Sequence, residues 1–307
     1  MLRYVAEHPD RLKPTRQEAF YMISVCIPTY NRKAYLKEAL DSVFRQSFKD
    51  FEVIVLDDGS TDGTEEMIKA LNLPIRYYRQ TNHGQPQPNN RLVELARGKY
   101  ICFLDSDDVF LDDALERLYA AVDGADDKIA YGSYIRIDED SNEIGQDKKR
   151  LYSGDITEKL FQKIFVHCVC TLIPRKLFQE VGGYNSDFKV CFDYDLNLML
   201  SLKYEYIALD KPAFKRRRHG TNMSGYTYLN HMTELAVLEN FYFNKGGKDK
   251  IAVSIAFQRL SRQAFRAGKC ALWNKQYPEA KTALKRSLSY RLNLKALFLL
   301  FKVWLRA

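Results

Sequence analysis

Three aspartates within four positions, Asp105, Asp107 and Asp108, follow directly on the apolar run of residues 100–104 (YICFL). Clustered carboxylates repel, and each must stay solvated or find a partner. A buried strand that runs into three of them therefore calls for a reason. In extended chain the side chains alternate faces, so Asp105 and Asp107 leave the strand end on one side. Two oxygen-rich groups on one side form half of a site for a hard divalent cation, completed by waters and the phosphates of a substrate. The competing reading is a solvated loop in which Asp108 caps the helix that follows.

The elements around this cluster read as alternating strands and helices. Residues 23–27 (ISVCI), 52–57 (EVIVLD) and 75–79 (IRYYR) are short strand-like runs. Between them, Leu36, Leu40, Val43 and Phe44 fall on one face of a helix beginning near Lys33, and Asp62 with Glu65 reads as a capping box for the next. A further helix is expected near residues 90–96. Such alternation argues for βαβ units and a mainly parallel, doubly wound sheet, whose ligands lie at the carboxyl ends of the strands. Pro28, Thr29 and Tyr30, then Asp57 and Asp58, then Asp105 and Asp107 all fall at that edge. Further on, residues 128–137 and 167–174 read as strands, 138–150 as a polar loop, and a helix begins near Asp193. Short strands are expected at 206–209 and 213–218, and a nearly all-helical pattern from about 226.

The length of 307 residues suits one large domain and a smaller one. The expected division is a flexible extension over 1–21, a catalytic domain over 22–225 and a basic helical region over 226–307. From Phe241 to Ala307 there are fifteen Lys and Arg against Asp249 and Glu279, which leaves the rest of the chain net acidic. Such a split suggests that the tail meets a polyanion. Arg259, Arg262, Arg266 and Lys269 fall on one stripe of it. Leu294, Leu297, Phe298, Phe301 and Trp304 recur at helical spacing, with Lys295, Lys302 and Arg306 on another face. These features read either as a helical hairpin with a solvated basic face or as a surface for an anionic membrane. Cys168 and Cys170 read as lying on one strand face. All six cysteines read as buried thiols of a reducing compartment. No run is long enough to span a bilayer, and residues 1–21 lack the apolar centre of a signal peptide. The expected location is cytoplasmic, peripheral on the inner membrane face.

Together the motifs resemble glycosyltransferase family 2, with the GT-A fold. Residues 25–31 (VCIPTYN) are similar to its opening strand and nucleotide loop, and 55–64 (VLDDGSTDGT) to its second strand and turn. Residues 98–108 (GKYICFLDSDD) resemble its DxD segment. Residues 182–184 (GGY) with 192–196 (FDYDL) resemble its acceptor-side segment, and 217–224 (RRHGTNMS) its closing segment. The resemblance implies a Rossmann-like, mainly parallel sheet with flanking helices, here followed by a C-terminal all-helical segment. It implies an inverting transfer from a nucleotide-diphosphate sugar, a UDP-sugar by the match at Asp58, to a glycan or lipid-linked saccharide. Pro28, Thr29, Tyr30, Asn31, Asp58, Asn89, Asp105 and Ser106 would contact the nucleotide. Asp107, and His219 with it, would hold Mn2+ or Mg2+, and Asp193 would be the catalytic base. In chemical terms, a cation on Asp107 stabilises the charge of the leaving diphosphate. Asp58 can accept from a ring N–H of uracil, and Tyr30 offers a stacking face.

Two departures stand out. The arginine usual in the helix after the third strand is replaced by Asn89, with Arg91 a position further along. The acidic pair before Tyr194 is reduced to Phe192 and Asp193. Arg217 and Arg218 read either as solvated or as facing the diphosphate. A nucleic-acid-binding protein is disfavoured because the basic residues avoid the strand-edge cluster and no such motif is present. A nicotinamide enzyme is disfavoured because no G-x-G-x-x-G follows the first strand. The remaining alternative is an inactive GT-A-like module that binds a nucleotide or a polyanion.

Overall fold

Near-continuous Val, Ile and Leu runs suit strands covered on both faces. In the computed structural model, which describes residues 3–6, 21–220, 225 and 227–304, those runs form the middle of one sheet. The chain opens with β1 (Arg3–Ala6), β2 (Ile23–Thr29), α1 (Lys33–Phe44), β3 (Phe51–Asp57), α2 (Thr64–Leu71), β4 (Ile75–Arg79), α3 (Gln87–Leu95) and β5 (Tyr100–Phe103). It continues through β6 (Val109–Phe110), α4 (Ala114–Val122), β7 (Lys128–Tyr131), β8 (Tyr134–Ile137), β9 (Glu143–Gln146), α5 (Thr157–Gln162), β10 (Thr171–Pro174) and α6 (Arg175–Glu180). Then come α7 (Phe192–Ser201), β11 (Glu205–Ala208), β12 (Phe214–Arg217), α8 (Tyr228–Asn244), α9 (Val253–Trp273), α10 (Tyr277–Tyr290) and α11 (Leu294–Trp304).

These elements divide into two compact units. The first comprises Met1–Asp155, Phe165–Ser186 and Tyr204–Gly220. It holds an eight-stranded sheet in the order β1-β4-β3-β2-β5-β10-β7-β11 and a four-stranded sheet in the order β6-β12-β8-β9. The four strands from β4 to β5 are parallel, while β10 runs antiparallel between β5 and β7. The chain winds from β2 to β3 to β4, then returns to lay β5 on the other flank of β2. The carboxyl ends of β2 and β5 therefore flank the point where the winding reverses, where open α/β sheets bind ligands. Leu36, Ala39, Leu40 and Val43 of α1 are buried in the same core as Val25, Val53 and Cys102.

Several local expectations change. Residues 128–137 form two strands in different sheets, because the chain breaks at Gly132. A Cβ there would lie 2.7 Å from the Cβ of Ala213, so the crossing needs glycine. The polar stretch 138–150 contains β9, which closes an antiparallel hairpin on β8. The strand expected over 167–174 is confined to β10, and Cys170 has φ +58°, so Cys168 and Cys170 do not share a strand face. Asp62 and Glu65 form no capping box: the N-cap of α2 is Gly63, and Asp62 accepts instead from Thr64 N, Thr64 Oγ1 and Lys33 N. Within the stretch expected to be unstructured, β1 pairs antiparallel with β4; residues 7–20 lie outside the described residues.

The second unit comprises Ile156–Ile164, Asp187–Lys203 and Thr221–Ala307, so the division of the chain is not linear. The helical C-terminal region takes in α5 and α7 as well. Arg259 of α9 links them: its Nε donates to Phe161 O at 3.1 Å and its Nη1 to Gln263 Oε1 at 3.0 Å, and Nη2 is paired with Glu234. Tyr194 OH donates to the carbonyls of Leu160 and Phe161, both at 3.0 Å. Arg259 is thus buried and does not belong to a solvated basic stripe, whereas Arg262, Arg266 and Lys269 are exposed. α9 and α10 approach closely at Gly268, where a Cβ would lie 2.7 Å from Leu284 Cγ.

Candidate active site

The strand-edge residues of the first unit are brought together by two clips. Asn31, with φ +50°, accepts from Thr61 N through its Oδ1 at 2.8 Å and donates its backbone N–H to Ser60 Oγ at 2.8 Å. Thr29 O accepts from Asp58 N at 2.9 Å. The loops after β2 and β3 are therefore one piece. Tyr30 on that piece is 48% exposed, which leaves its ring face open for stacking. Pro28 lies within β2, in register with Leu56 of β3. Thr29 is buried, and its Oγ1 has no hydrogen-bond partner among the described residues.

Asp57 and Asp58 divide their roles. Asp57 is buried and accepts from Ser60 N at 2.7 Å and from Tyr77 OH at 2.6 Å; burial first, and then this bond, push the Tyr77 phenol well up. Asp58 accepts from Gln80 Nε2 at 2.8 Å, from Gly84 N at 2.8 Å and from His83 N at 3.0 Å, and so holds the loop after β4. A carboxylate has about four lone-pair positions, so these donors occupy most of Asp58. Asn89 of α3 is buried, with Oδ1 unpartnered among the described residues. Its neighbour Asn90 instead clamps the chain at Tyr184, accepting from Tyr184 N at 2.9 Å and donating to Tyr184 O at 2.8 Å. Arg91 pairs with Glu94.

Asp107 is the meeting point of the acidic segment. His219 Nε2 lies 2.8 Å from Asp107 Oδ2, and the Arg32 guanidinium pairs with the same oxygen. His219 stacks on Tyr35, ring centroids 5.5 Å apart. Ser106 is buried and Asp105 half-buried. Asp108 caps no helix. It is buried, accepts from Arg217 N at 2.9 Å, and its carboxyl is raised well above the usual range by burial and then by Asp107 and Asp105.

Arg217 is not solvated. Its side chain is fully buried. Nε donates to Asp107 O at 2.9 Å, Nη2 to Glu38 Oε2 at 2.7 Å, and Nη1 to Ser141 Oγ at 2.8 Å and Glu139 O at 3.1 Å. Its guanidinium also lies 4.6 Å from the ring centroid of Tyr35. It ties the acidic segment to α1 and to the turn between β8 and β9. Arg32, Glu38, Asn90 and this role of Arg217 were not foreseen, because no local pattern marks a residue whose partners lie far along the chain. Residues 221–224 of the closing motif lie outside the described residues.

Asp193 belongs to the second unit. It is half-buried at the second position of α7, whose N-cap is Cys191. Its Oδ1 accepts from Tyr194 N at 2.9 Å, one of the donors a helix start leaves without an intrahelical partner. Asp195, in the same turn, is buried, and burial pushes its carboxyl up to about 6 against the opposing pull of Lys245.

An α/β sheet with an acidic segment and the joined loops after β2 and β3 at its switch point defines a class, and similarity to known proteins specifies it. Residues 24–182 match the model of the glycosyl transferase family 2. An uncharacterized glycosyltransferase of Rickettsia prowazekii (strain Madrid E) is 30% identical over 236 residues, covering 75% of this chain and 74% of that protein. Other Rickettsia relatives are longer, and the chain spans 38% of two of them. In fold, S. aureus TarS 1–349 in complex with UDP superposes with a TM-score of 0.65 at 20% identity, covering 88% of this chain and 80% of that one. The mannosyltransferase PcManGT from Pyrobaculum calidifontis, in complex with GDP-Man and Mn2+, gives 0.56 at 18% identity, covering 92% and 79%. The chain belongs to glycosyl transferase family 2: it is a glycosyltransferase with the GT-A fold.

Proposed function

We propose that the protein transfers a sugar, with inversion, from a nucleotide-diphosphate sugar to a glycan or lipid-linked saccharide, and that the donor is a UDP-sugar. The observation that carries this reading is the convergence of Asp107, His219 and Arg32 at the carboxyl end of β5, beside the β2 strand end that leads to Tyr30. The UDP held by TarS 1–349 supports the choice of base, whereas the GDP-Man of PcManGT shows that the fold accepts another.

The donor set fits a hard divalent cation. Among the described residues no three His, Cys, Asp or Glu are placed so that they alone could hold a metal ion. A carboxylate and an imidazole converging at 2.8 Å suit a metal that takes its remaining ligands from diphosphate and water. Asp107 and His219 would hold Mn2+ or Mg2+, and PcManGT carries Mn2+. Such an ion supplies charge stabilisation on the departing diphosphate. Arg32, beside Asp107, contributes a fixed positive charge to the same end. Tyr30 stacks on the base, Asp58 accepts from its edge, and Pro28, Thr29 and Asn31 shape the loop beneath. Thr29 Oγ1 and Asn89 Oδ1, buried without partners among the described residues, are the groups most in need of a ligand's hydrogen bond. Asp105 and Ser106 are assigned to the ribose side. Asp193 takes the proton of the acceptor hydroxyl.

A thermal-shift panel of UDP, GDP, dTDP and CMP, each with manganese or chelator, tests the reading. UDP with manganese gives the largest stabilisation, about 2.7 kcal/mol at a hundred times its dissociation constant, and Asp107→Ala removes the manganese dependence. Manganese dependence unchanged in that variant takes Asp107 out of the role, and a preference for GDP replaces the base.

A further inference from the structure

Helix α11 is apolar on two opposite sides. Ala296, Leu299, Leu300 and Val303 face inward and join the core that α9 and α10 build. Leu294, Leu297, Phe298, Phe301 and Trp304 face outward, with Trp304 70% and Phe298 57% exposed. At about 100° per residue these five occupy roughly a third of the helix circumference, and Lys295 and Lys302 fall together along one edge of that arc. The Lys302 ammonium lies 4.5 Å from the Phe298 ring centroid, and the rings of Phe301 and Trp304 stack at 6.2 Å. A solvent-facing helix surface is ordinarily polar. A contiguous apolar surface with a cationic edge is one that another phase or molecule covers.

We propose that this face of α11 docks the protein on an anionic lipid bilayer, the helix lying in the headgroup region. Charge decides between the occupants. Arg291, Lys295 and Lys302 are exposed at this helix, and Arg262, Arg266 and Lys269 on α9. From Phe241 onward fifteen Lys and Arg face two acidic residues. Anionic headgroups attract such a surface while the acyl boundary takes the aromatic and leucine side chains. A second copy would set the same cations against one another. The helix has eleven residues, and no helix among the described residues is long and apolar enough to cross a membrane, so the contact is with the surface.

The probe is vesicles of equal parts phosphatidylcholine and phosphatidylglycerol, with phosphatidylcholine alone as the neutral control, co-sedimented with the full chain. The chain pellets with the anionic vesicles and is released by salt. Leu297→Ser, Phe298→Ser and Phe301→Ser together abolish pelleting. Lys295→Gln with Lys302→Gln lowers the anionic partition coefficient about thirty-fold, at about 1 kcal/mol per cation. Trp273→Phe leaves Trp304 as the only tryptophan, and its emission shifts to the blue on anionic vesicles. That spectral arm stands even where the serine variant fails to fold. No pelleting by the parent, an unshifted Trp304, or a dimer that the serine variant dissolves in the absence of vesicle binding each overturns the proposal. No donor or metal enters the test, so its failure leaves the proposed transfer untouched.

Discussion

A guanidinium shut away from water must find acceptors for its donors, and Arg217 finds them on residues 38, 107, 139 and 141. Removing one member of a buried charged pair typically costs about 3–5 kcal/mol, because it strands the other. Arg217→Lys keeps a charge for the partly exposed Glu38 but leaves some of the buried acceptors unmet, so it is expected near the lower end of that range, about 3 kcal/mol, in urea denaturation. Lysine has a single ammonium and cannot span Asp107 O and Ser141 Oγ together. A lysine variant as stable as the parent would show that the guanidinium fork is not needed. The acidic segment it supports was legible from sequence, since carboxylates ending an apolar strand stand out locally. The arginine was not, because burial of a charged side chain depends on acceptors that only the fold assembles. Asp193 poses the opposite problem. Its hydrogen bond to Tyr194 N is one that asparagine also makes, so Asp193→Asn keeps the helix start. If Asp193 is the base, the same change slows transfer by roughly 10²–10⁴-fold while UDP affinity holds. Near-normal turnover with normal UDP affinity would send the search to Asp195 and Asp187.

Elements were legible wherever periodicity was strong, as in β2, α1, β3 and the C-terminal helices. They were misread where two sheets share one apolar run. Nothing in residues 128–137 announces a change of sheet except Gly132, and its reason lies in the approach of Ala213. Gly132→Ala forces two methyl-sized groups into 2.7 Å, which backbone movement must relieve. Overpacking of this kind costs about 1–3 kcal/mol, read as a fall in thermal midpoint. An unshifted midpoint would mean that the crossing has slack. In α7 the signal is pH. Asp195 has a folded value of about 6 against about 3.9 for an unfolded aspartate. Below about pH 4 it is protonated in both states and burial carries no penalty. As pH rises toward 6 the unfolded chain ionises first, and the folded state loses up to roughly 2–3 kcal/mol. Asp195→Asn therefore stabilises the protein at pH 7, with the gain vanishing near pH 4. Urea titrations of both proteins at the two pH values measure it, and a gain independent of pH would assign the effect to packing.

At the scale of the molecule, the sequence pattern suggested a linear division near residue 225, and the fold instead attaches α5 and α7 to the C-terminal helices through Arg259 and Tyr194. Helical periodicity records which face of a helix is buried and leaves open which neighbour buries it. The N-terminal stretch makes the same point at the sheet edge. β1 is four residues long and pairs Arg3 with Arg79 and Tyr4 with Tyr78, with a register shift before Ala6. Its few ladder hydrogen bonds are each worth roughly 1 kcal/mol net, while ordering each residue costs about 1–2 kcal/mol. Docking of β1 is therefore close to neutral for stability. What it changes is the edge. Without it, β4 presents unpaired N–H and C=O groups, a template for another chain. A protein beginning at Met22 is expected to fold, because β2 to β5 keep their pairing and the core over α1 is untouched. Its unfolding free energy should fall by less than about 2 kcal/mol. Its self-association should rise, seen as a concentration-dependent increase in sedimentation coefficient. Loss of the folded state on truncation would show that the N-terminal stretch contributes core. A truncated protein as monodisperse as the parent would show that the β4 edge is protected without β1.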